Sequence, residues 1–592
     1  MGQMSRSIFV LRLFCMIIRG GEFKMNNYIN FTSTYNPNLQ ALSSADGYDA
    51  VKMNDMFGQI MGNIAAVQST LTGSLIDVKN FAPGDGSDQT AQIKAFFDSA
   101  QEGDVLLFTP GHYKVVKTGW FYTFSGRSVI IKALPGAILE VSDQGIRIEG
   151  SNHVEISGLT LVRTTQAAWS KNKTGLHIEN SSNVLLQHND ISKFTDGIGV
   201  NGSSSQDNPA RNVVIRNNKL HHLGEEPIAV RSHLVFVVIR ENDCHRYLGD
   251  GILVKASWHV SITDNFLHTP VLSSDPDYSA FSGGQQVNNM PKVGGGITCN
   301  NEGGETGAKN LHIHGNSLIG TAFGVGLIGF EGTFVTSNYF YDIKLTSVIS
   351  VSFSSSIYNP NNVSNHLFVI QGNLIDTISR PSATAAIEAK TSTGAEGMDI
   401  GIISDNIIIP RGKHWGIVAD GHIIVKGNYI AEAGIAMDIA NGVIASSNII
   451  EPGFETTNPD RMVSLHNDCT FSHNSITGKG TCLQLRGSNN IITGNRLKYE
   501  GTWWAVHLDI VNNTVEGNLI RDNMLMVTAS AAGRYLFGAT PSNNGRNVVV
   551  DLVTDTNGTF YQLVNEIVMM GANSTRWRIT VDAKGDLKTT KL

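Results

Sequence analysis

Four short phrases of the chain place carboxylates at the end of a turn and then run into an apolar alternation. They are FTDGIGVNG (194–202), GEEPIAVRS (224–232), GDGILVKAS (249–257) and GGGITCNNE (294–302). Aligned on their first isoleucine, they put Asp196, Glu226 and Asp250 at one position, with Glu225 beside Glu226. Ile198/Val200, Ile228/Val230, Ile252/Val254 and Ile297/Cys299 read as the inward residues of short strands, and Asn201, Arg231, Lys255 and Asn300 as outward neighbours. Like charges held close together cannot all ionise, so one carboxyl of such a group becomes a proton donor beside carboxylate bases. Asp and Gly before a strand are also ordinary turn residues, so the chemistry depends on whether the phrases stack.

Other chemistry-bearing residues lie around these phrases. His221, His245 and His268 each stand three residues after an asparagine of a recurring phrase, which would place them outward on consecutive units. Solvated side chains are the plainer reading, although such a row could bind a metal or supply a base, His245, Arg231 or Lys255, that abstracts a proton alpha to a uronate carboxyl. Trp169, Tyr247 and Trp258 are placed to stack on sugar rings, and the segment 269–293, rich in Gly, Ser and Asp, is a candidate wall of a groove. The carboxylate reading needs no cofactor, and neither cofactor nor metal is expected.

The elements that would position these residues are visible as repeats. NVLLQHNDI (183–191), NVVIRNNKL (212–220), HVSITDNFL (259–267), NLHIHGNSL (310–318) and NIITGNRL (490–497) repeat one pattern: alternating apolar residues, an Asn, then another apolar residue. The aligned asparagines run from Asn189 through Asn218, Asn242 and Asn265 to Asn495 and Asn518. Period-2 alternation predicts strands, and a strand phrase recurring with Asn at the turn predicts an all-β fold: a single-stranded parallel β-helix. Coils stacked at ~4.8 Å place carboxylates ~5 Å apart on adjacent coils and ~10 Å apart on alternate ones, which brackets the carboxyl separations of glycosidases.

The lead-in DVKNFAPGDGSDQTAQIKAFFDSA (77–100) and VLLFTPGHYKV (105–115) resembles the opening of the pectate-lyase superfamily. That resemblance implies a right-handed helix and a capping α-helix, for which Asp88 or Thr90 offers an N-cap. The segments T-D-G (Asp196), G-E-E (Glu225, Glu226) and G-D-G (Asp250) resemble the successive motifs of the polygalacturonase group of glycoside hydrolases. By that resemblance Asp196, Glu225 and Glu226 are the acid and water-activating carboxylates. Glu twice replaces Asp, Asp250 stands where that group has His, and no R-I-K motif is present.

Met53, Phe57, Ile60, Ile64, Val67 and Leu71 form a heptad seam that predicts a short helical neck. The expected organisation is therefore an untranslated leader read as protein at 1–24, where Gly20-Gly21-Glu22 back-translates to a stretch resembling a ribosome-binding site just before Met25, an N-terminal segment at 25–73 with the neck, a β-helix at 74–525 with its cap at 74–116, and a small β-rich, trimerising domain at 526–592. This order resembles a homotrimeric bacteriophage tailspike, attached to the tail or baseplate through its N-terminus and released by lysis without a signal peptide. The implied activity is depolymerisation of a bacterial surface polysaccharide by hydrolysis, with β-elimination or a non-catalytic adhesin as alternatives. A C5-epimerase would be expected to carry an export signal.

Composition agrees. Of 592 residues only 16% are charged, with 44 Lys and Arg against 51 Asp and Glu, a net charge of −7. No basic cluster suits nucleic acid, and the run at 8–18, interrupted by Arg12, is too short to span a membrane. Five scattered cysteines without CxxC spacing predict buried thiols.

Overall fold

The computed structural model describes residues 74–527, apart from short stretches of the connecting loops, and five strands between 548 and 591. The expected leader and heptad neck lie outside the described residues. Each coil of the right-handed β-helix contributes three short strands, and each strand pairs in parallel with its counterparts one coil below and above. One coil is 210–216, 219–223 and 228–231; the next is 234–240, 243–247 and 252–255. The solenoid thus has three faces, called first, second and third in the order the chain visits them. The third is an uninterrupted 15-stranded sheet from Trp120–Ser125 to Val506–Leu508.

Alternation fills the interior. Ile198, Ile228, Ile252 and Ile297 are paired neighbours on consecutive coils and wholly buried, as are Val200, Val230, Val254 and Cys299. Full burial of such a side chain contributes about 1.5–3 kcal/mol, so each coil gains stability by covering the one before it. Cys244, Cys299, Cys469 and Cys482 are unpaired thiols inside this core, as expected.

The asparagines turn the chain from the first face to the second. The side chain of Asn218 donates to Asn242 Oδ1 at 2.9 Å and to the Leu186 carbonyl at 3.0 Å, and its own Oδ1 accepts from the backbone and side chain of Asn189. This pattern repeats coil after coil, so the buried side-chain amides of this ladder are satisfied by their neighbours. The residue in the left-handed conformation is the one before each Asn, for example Asn217 (φ 53), Glu241 (φ 55) and Asp264 (φ 55), and not the ladder Asn itself. The ladder also ends differently from the expected alignment. Asn495 bonds to Asn523, whereas Asn518 belongs to a second, shorter ladder with Asn490 at the corner entering the first face.

The cap is the helix Thr90–Asp98, whose Ile93, Phe96 and Phe97 are buried. Phe97 packs within 5.5 Å of Phe121 and 5.2 Å of Phe124, covering the apolar end of the stack. The residue at the N-cap position is Gln89, whose side chain makes no capping bond, and not Asp88 or Thr90 as the sequence suggested; the Asp88 carboxylate accepts the Thr90 N–H at 3.0 Å just ahead of the first turn. At the other end parallel pairing persists from 519–527 to 548–555, then gives way to an antiparallel partner at 560–564 and a three-stranded antiparallel sheet. Among the described residues no helix is long and apolar enough to cross a membrane.

Candidate active site on the third face

The carboxylates sit where the chain turns from the second face onto the third. Pairing of Ile198 with Ile228, and of Ile228 with Ile252, sets Asp196, Glu226 and Asp250 in one file, two residues earlier on consecutive coils. The glycine that follows is a packing requirement. A Cβ on Gly197 would lie 2.7 Å from the Pro227 carbonyl and 3.2 Å from Leu223 Cδ1, and one on Gly251 would lie 2.3 Å from Leu267 Cδ2. These positions face the core, so the acidic residue before each is carried to the outer side of the corner.

Asp196, Glu225 and Glu226 bring carboxylate oxygens within 4.8 Å of one another. The Glu226 N–H donates to Asp196 Oδ1 at 3.3 Å, which ties two coils together at the site. Glu226 is only 6% exposed and Asp196 8%. Glu226 Oε2 is buried without a hydrogen-bond partner, its nearest cation being Arg231 Nη2 at 3.6 Å. Burial, reinforced by the charges of Asp196, Glu225 and Asp250, pushes the Glu226 carboxyl well above the usual carboxylate range. Arg231, partly solvated, does not offset this. Asp250 lies one coil above, against Gly295, where a Cβ would approach its Oδ1 to 2.8 Å.

The outward row follows the same register. Asn201 pairs with Arg231, and Lys255 with Asn300, while the Val230–Val254 pair brings Arg231 beside Lys255. Arg231 and Lys255 are half-buried, but Asn300 is buried, so it closes the row rather than presenting an amide to a ligand.

Tyr247 does not stack on a ligand, contrary to the sequence expectation. Arg246 takes a left-handed φ of 53, which breaks the alternation and swings Tyr247 into the core, where its hydroxyl donates to the Gly295 carbonyl at 2.8 Å. Trp258 is half-buried at the start of the strand 258–263, beyond the opposite end of the third-face strand from Asp250, with His233 6.4 Å away.

His245 belongs to the second face, across the corner. His221, His245 and His268 form a column with ring centroids 5.1 Å apart. His245 Nδ1 and His268 Nε2 lie 3.1 and 2.9 Å from Asp243 Oδ1. Each ring can donate an N–H to the shared Asp243 carboxylate, and the same three groups, with ligand atoms within 4.8 Å of one another, could hold a metal ion. Burial lowers the pKa of His245, and burial with neighbouring cations lowers that of His222 to about 4.

Sequence reasoning missed two features. Leu248, Val271 and Phe281, with Trp169 and Tyr278 packed on them, form a satellite core under the insertion. Arg246 clamps this insertion through Asp275 at 2.8 Å and Asp277 at 2.6 Å. The D-P-D-Y-S-A-F run was its only sequence signal. A second groove on the third face, many coils further on, is lined by Lys390, Asp420, Asp438, Asn441 and His466. There His466 pairs with Asp438 at 2.9 Å.

Comparison with known proteins agrees with the fold. A family model described as "Right handed beta helix region" matches residues 144–340. No curated protein matches. Among solved structures, the catalytic unit of a thermostable GH87 alpha-1,3-glucanase from Streptomyces thermodiastaticus strain HF3-3 is 11% identical, covering 81% of this chain and 68% of that one, with a TM-score of 0.34. The pre-mature bacteriophage phi29 gene product 12 is also 11% identical, over 91% of this chain and 90% of that one, with a TM-score of 0.38. DFA-IIIase from Arthrobacter chlorophenolicus A6, in complex with DFA-III, is 12% identical over 81% and 94%, with a TM-score of 0.24. The solenoid is established by its strand pairing, independently of these distant likenesses.

Proposed function

We propose that the chain is a polysaccharide depolymerase that hydrolyses glycosidic bonds at the Asp196–Glu225–Glu226–Asp250 file. The observation that carries this reading is the buried Glu226 carboxyl, whose pKa is raised by burial and by the neighbouring charges, flanked by carboxylates within 4.8 Å. Glu226 donates its proton to the glycosidic oxygen as the bond breaks. A neighbouring carboxylate, Asp196 or Glu225, stabilises or captures the oxocarbenium-like centre. A water deprotonated by Glu226, now a carboxylate, then attacks the same carbon, which releases the sugar and returns the proton to Glu226. Separations this short suit the retaining arrangement, ~5–5.5 Å between carboxyl groups, better than the ~6.5–9.5 Å that admits a water. Arg231 and Lys255 beside the file favour an acidic polymer. The setting we infer is a homotrimeric phage tailspike, anchored to the tail by its N-terminus and acting on capsule, exopolysaccharide or O-antigen.

Incubation with purified surface polysaccharide tests the reaction. New reducing ends with retention of anomeric configuration in the first products, and no unsaturated-uronate absorbance, are expected. A rise in that absorbance would replace hydrolysis by β-elimination. Binding with unchanged polymer length would make the chain an adhesin.

A further inference from the structure

The imidazole column of the second face holds groups that the proposed reaction does not use. Asp243 and His245 stand two residues apart on the strand 243–247, and His268 pairs with His245 from the next coil. Asp243 Oδ1 lies 3.1 Å from His245 Nδ1 and 2.9 Å from His268 Nε2, so two imidazoles converge on one carboxylate oxygen. All three side chains reach solvent, Asp243 with 44% of its side chain exposed. Among the described residues the ion-pair partners of Asp243 are these two imidazoles, and no Lys or Arg. Its lateral neighbour Lys219 turns instead to Asp190, with Nζ 3.9 Å from Oδ2. Asp190 also meets His221 at 2.8 Å, so the coil below already has a lysine where the Asp243 set has none.

An ion bound at about 2.0–2.2 Å by imidazole nitrogen and carboxylate oxygen holds adjacent ligand atoms about 3.0–3.4 Å apart, whether octahedral or tetrahedral. Both carboxylate–imidazole separations are already of that size. The gap from His245 to His268 is within 4.8 Å and closes by rotation of partly exposed side chains on a fixed backbone. The protons fit as well. His268 Nδ1 lies 2.7 Å from Thr269 Oγ1, and donation there fixes the tautomer that turns the Nε2 lone pair on Asp243. Two electron-rich atoms 2.9 Å apart then call for a cation. Two imidazoles with one carboxylate favour a borderline ion such as Zn²⁺, Ni²⁺ or Co²⁺ over Ca²⁺ or Mg²⁺, which take oxygen ligands.

We propose that Asp243, His245 and His268 bind one divalent transition-metal ion, zinc above all, with water completing its coordination, where the sequence led us to expect none. The ion joins two coils at the root of the insertion. His268 ends its strand just before that segment, and Arg246, which follows His245, clamps it through Asp275 and Asp277. The Arg246 N–H also donates to the Thr269 carbonyl at 3.0 Å. Metal at this place therefore pins the start of the insertion to the coil that leads into Asp250. The site lies on the second face, apart from the carboxylate file, and is independent of the reaction proposed above.

Calorimetric titration of the chelator-stripped full chain with Zn²⁺ tests the site. The wild type is expected to bind zinc at micromolar concentration and to gain Tm with it. In His268→Ala and in Asp243→Asn this binding should weaken by about 100-fold or more, beyond the cost of losing an outer-shell partner, and the gain in Tm should vanish. Glu226→Gln, on the other face, should keep both. The two substituted side chains are partly exposed, so metal-free melts of these variants should match wild type. Bound Cu²⁺ in the wild type should show electron-spin couplings to two imidazole nitrogens, a readout that needs no variant. Zinc bound equally well by both variants, no binding by the wild type at millimolar zinc, or a copper spectrum with oxygen ligands alone would each overturn the proposal.

Discussion

Glu226 is held in an environment that a carboxylate resists. Its side chain is almost wholly buried, its Oε2 lacks a hydrogen-bond donor, and three acidic side chains surround it. Glu226→Gln keeps the shape and removes the transferable proton, so turnover should fall about 10²–10⁴-fold while polymer binding persists; equal loss of binding would place Glu226 in recognition instead. Wild-type activity should decline on the alkaline side as pH passes through the raised pKa. The same shift has a stability consequence. The folded chain holds this proton more tightly than the unfolded chain does, so the stabilisation is present at low pH and is lost as pH rises through the folded value. Thermal melts from pH 5 to 8 should therefore show a steeper fall in Tm for wild type than for Glu226→Gln. At this scale the sequence was readable where side chains obey strict alternation, as they do from Ile198 onward and in its counterparts. It misled at Tyr247, because the left-handed Arg246 reverses the phase and no local residue type announces it.

Each asparagine rung is a closed set of bonds, so a single deletion orphans several buried groups. In Asn406→Ala the Asn373 backbone N–H and side chain lose their acceptor, and the Ile370 carbonyl loses its donor. We expect a cost of about 2–4 kcal/mol, since an unsatisfied buried group costs about 1–3 kcal/mol. In a solenoid each coil feels mainly its neighbours. Hydrogen exchange should accordingly quicken in the strands around 367–378 and 423–430 and stay unchanged at the cap; uniform quickening would contradict the one-dimensional picture. Gly197→Ala probes the same architecture at the site. Its Cβ would press on the Pro227 carbonyl, the residue after Glu226, forcing the two coils apart by a few tenths of an ångström. Catalysis should drop more than 10-fold with only a modest change in Tm, because positioning errors weigh more heavily on rate than on folding. The Asn phrases made the ladder visible without a structure, since side-chain type and strand period coincide. Its end was not visible: Asn518 and Asn523 lie on adjoining corners, and only the pairing of coils separates them.

Whether the catalytic file belongs to one chain or is shared between copies follows from how the solenoid is wound. Asp196, Glu225, Glu226 and Asp250 come from three consecutive coils, joined by the strand pairs 196–201 with 228–231 and 228–231 with 252–255. No second copy is needed to complete the set. Co-expression of Asp196→Asn with Glu226→Gln therefore should not restore depolymerisation, because every file in a mixed assembly still lacks one carboxylate. Activity clearly above that of either variant alone would require carboxylates from different chains to meet. The sequence could suggest stacked coils from its repeats and an assembly from its heptads, but it gave no means of assigning the file to one copy. That assignment depends on which of three faces each outward residue occupies, and the face follows from the left-handed turn residues, whose types range from His188 to Asp522 without a common chemistry.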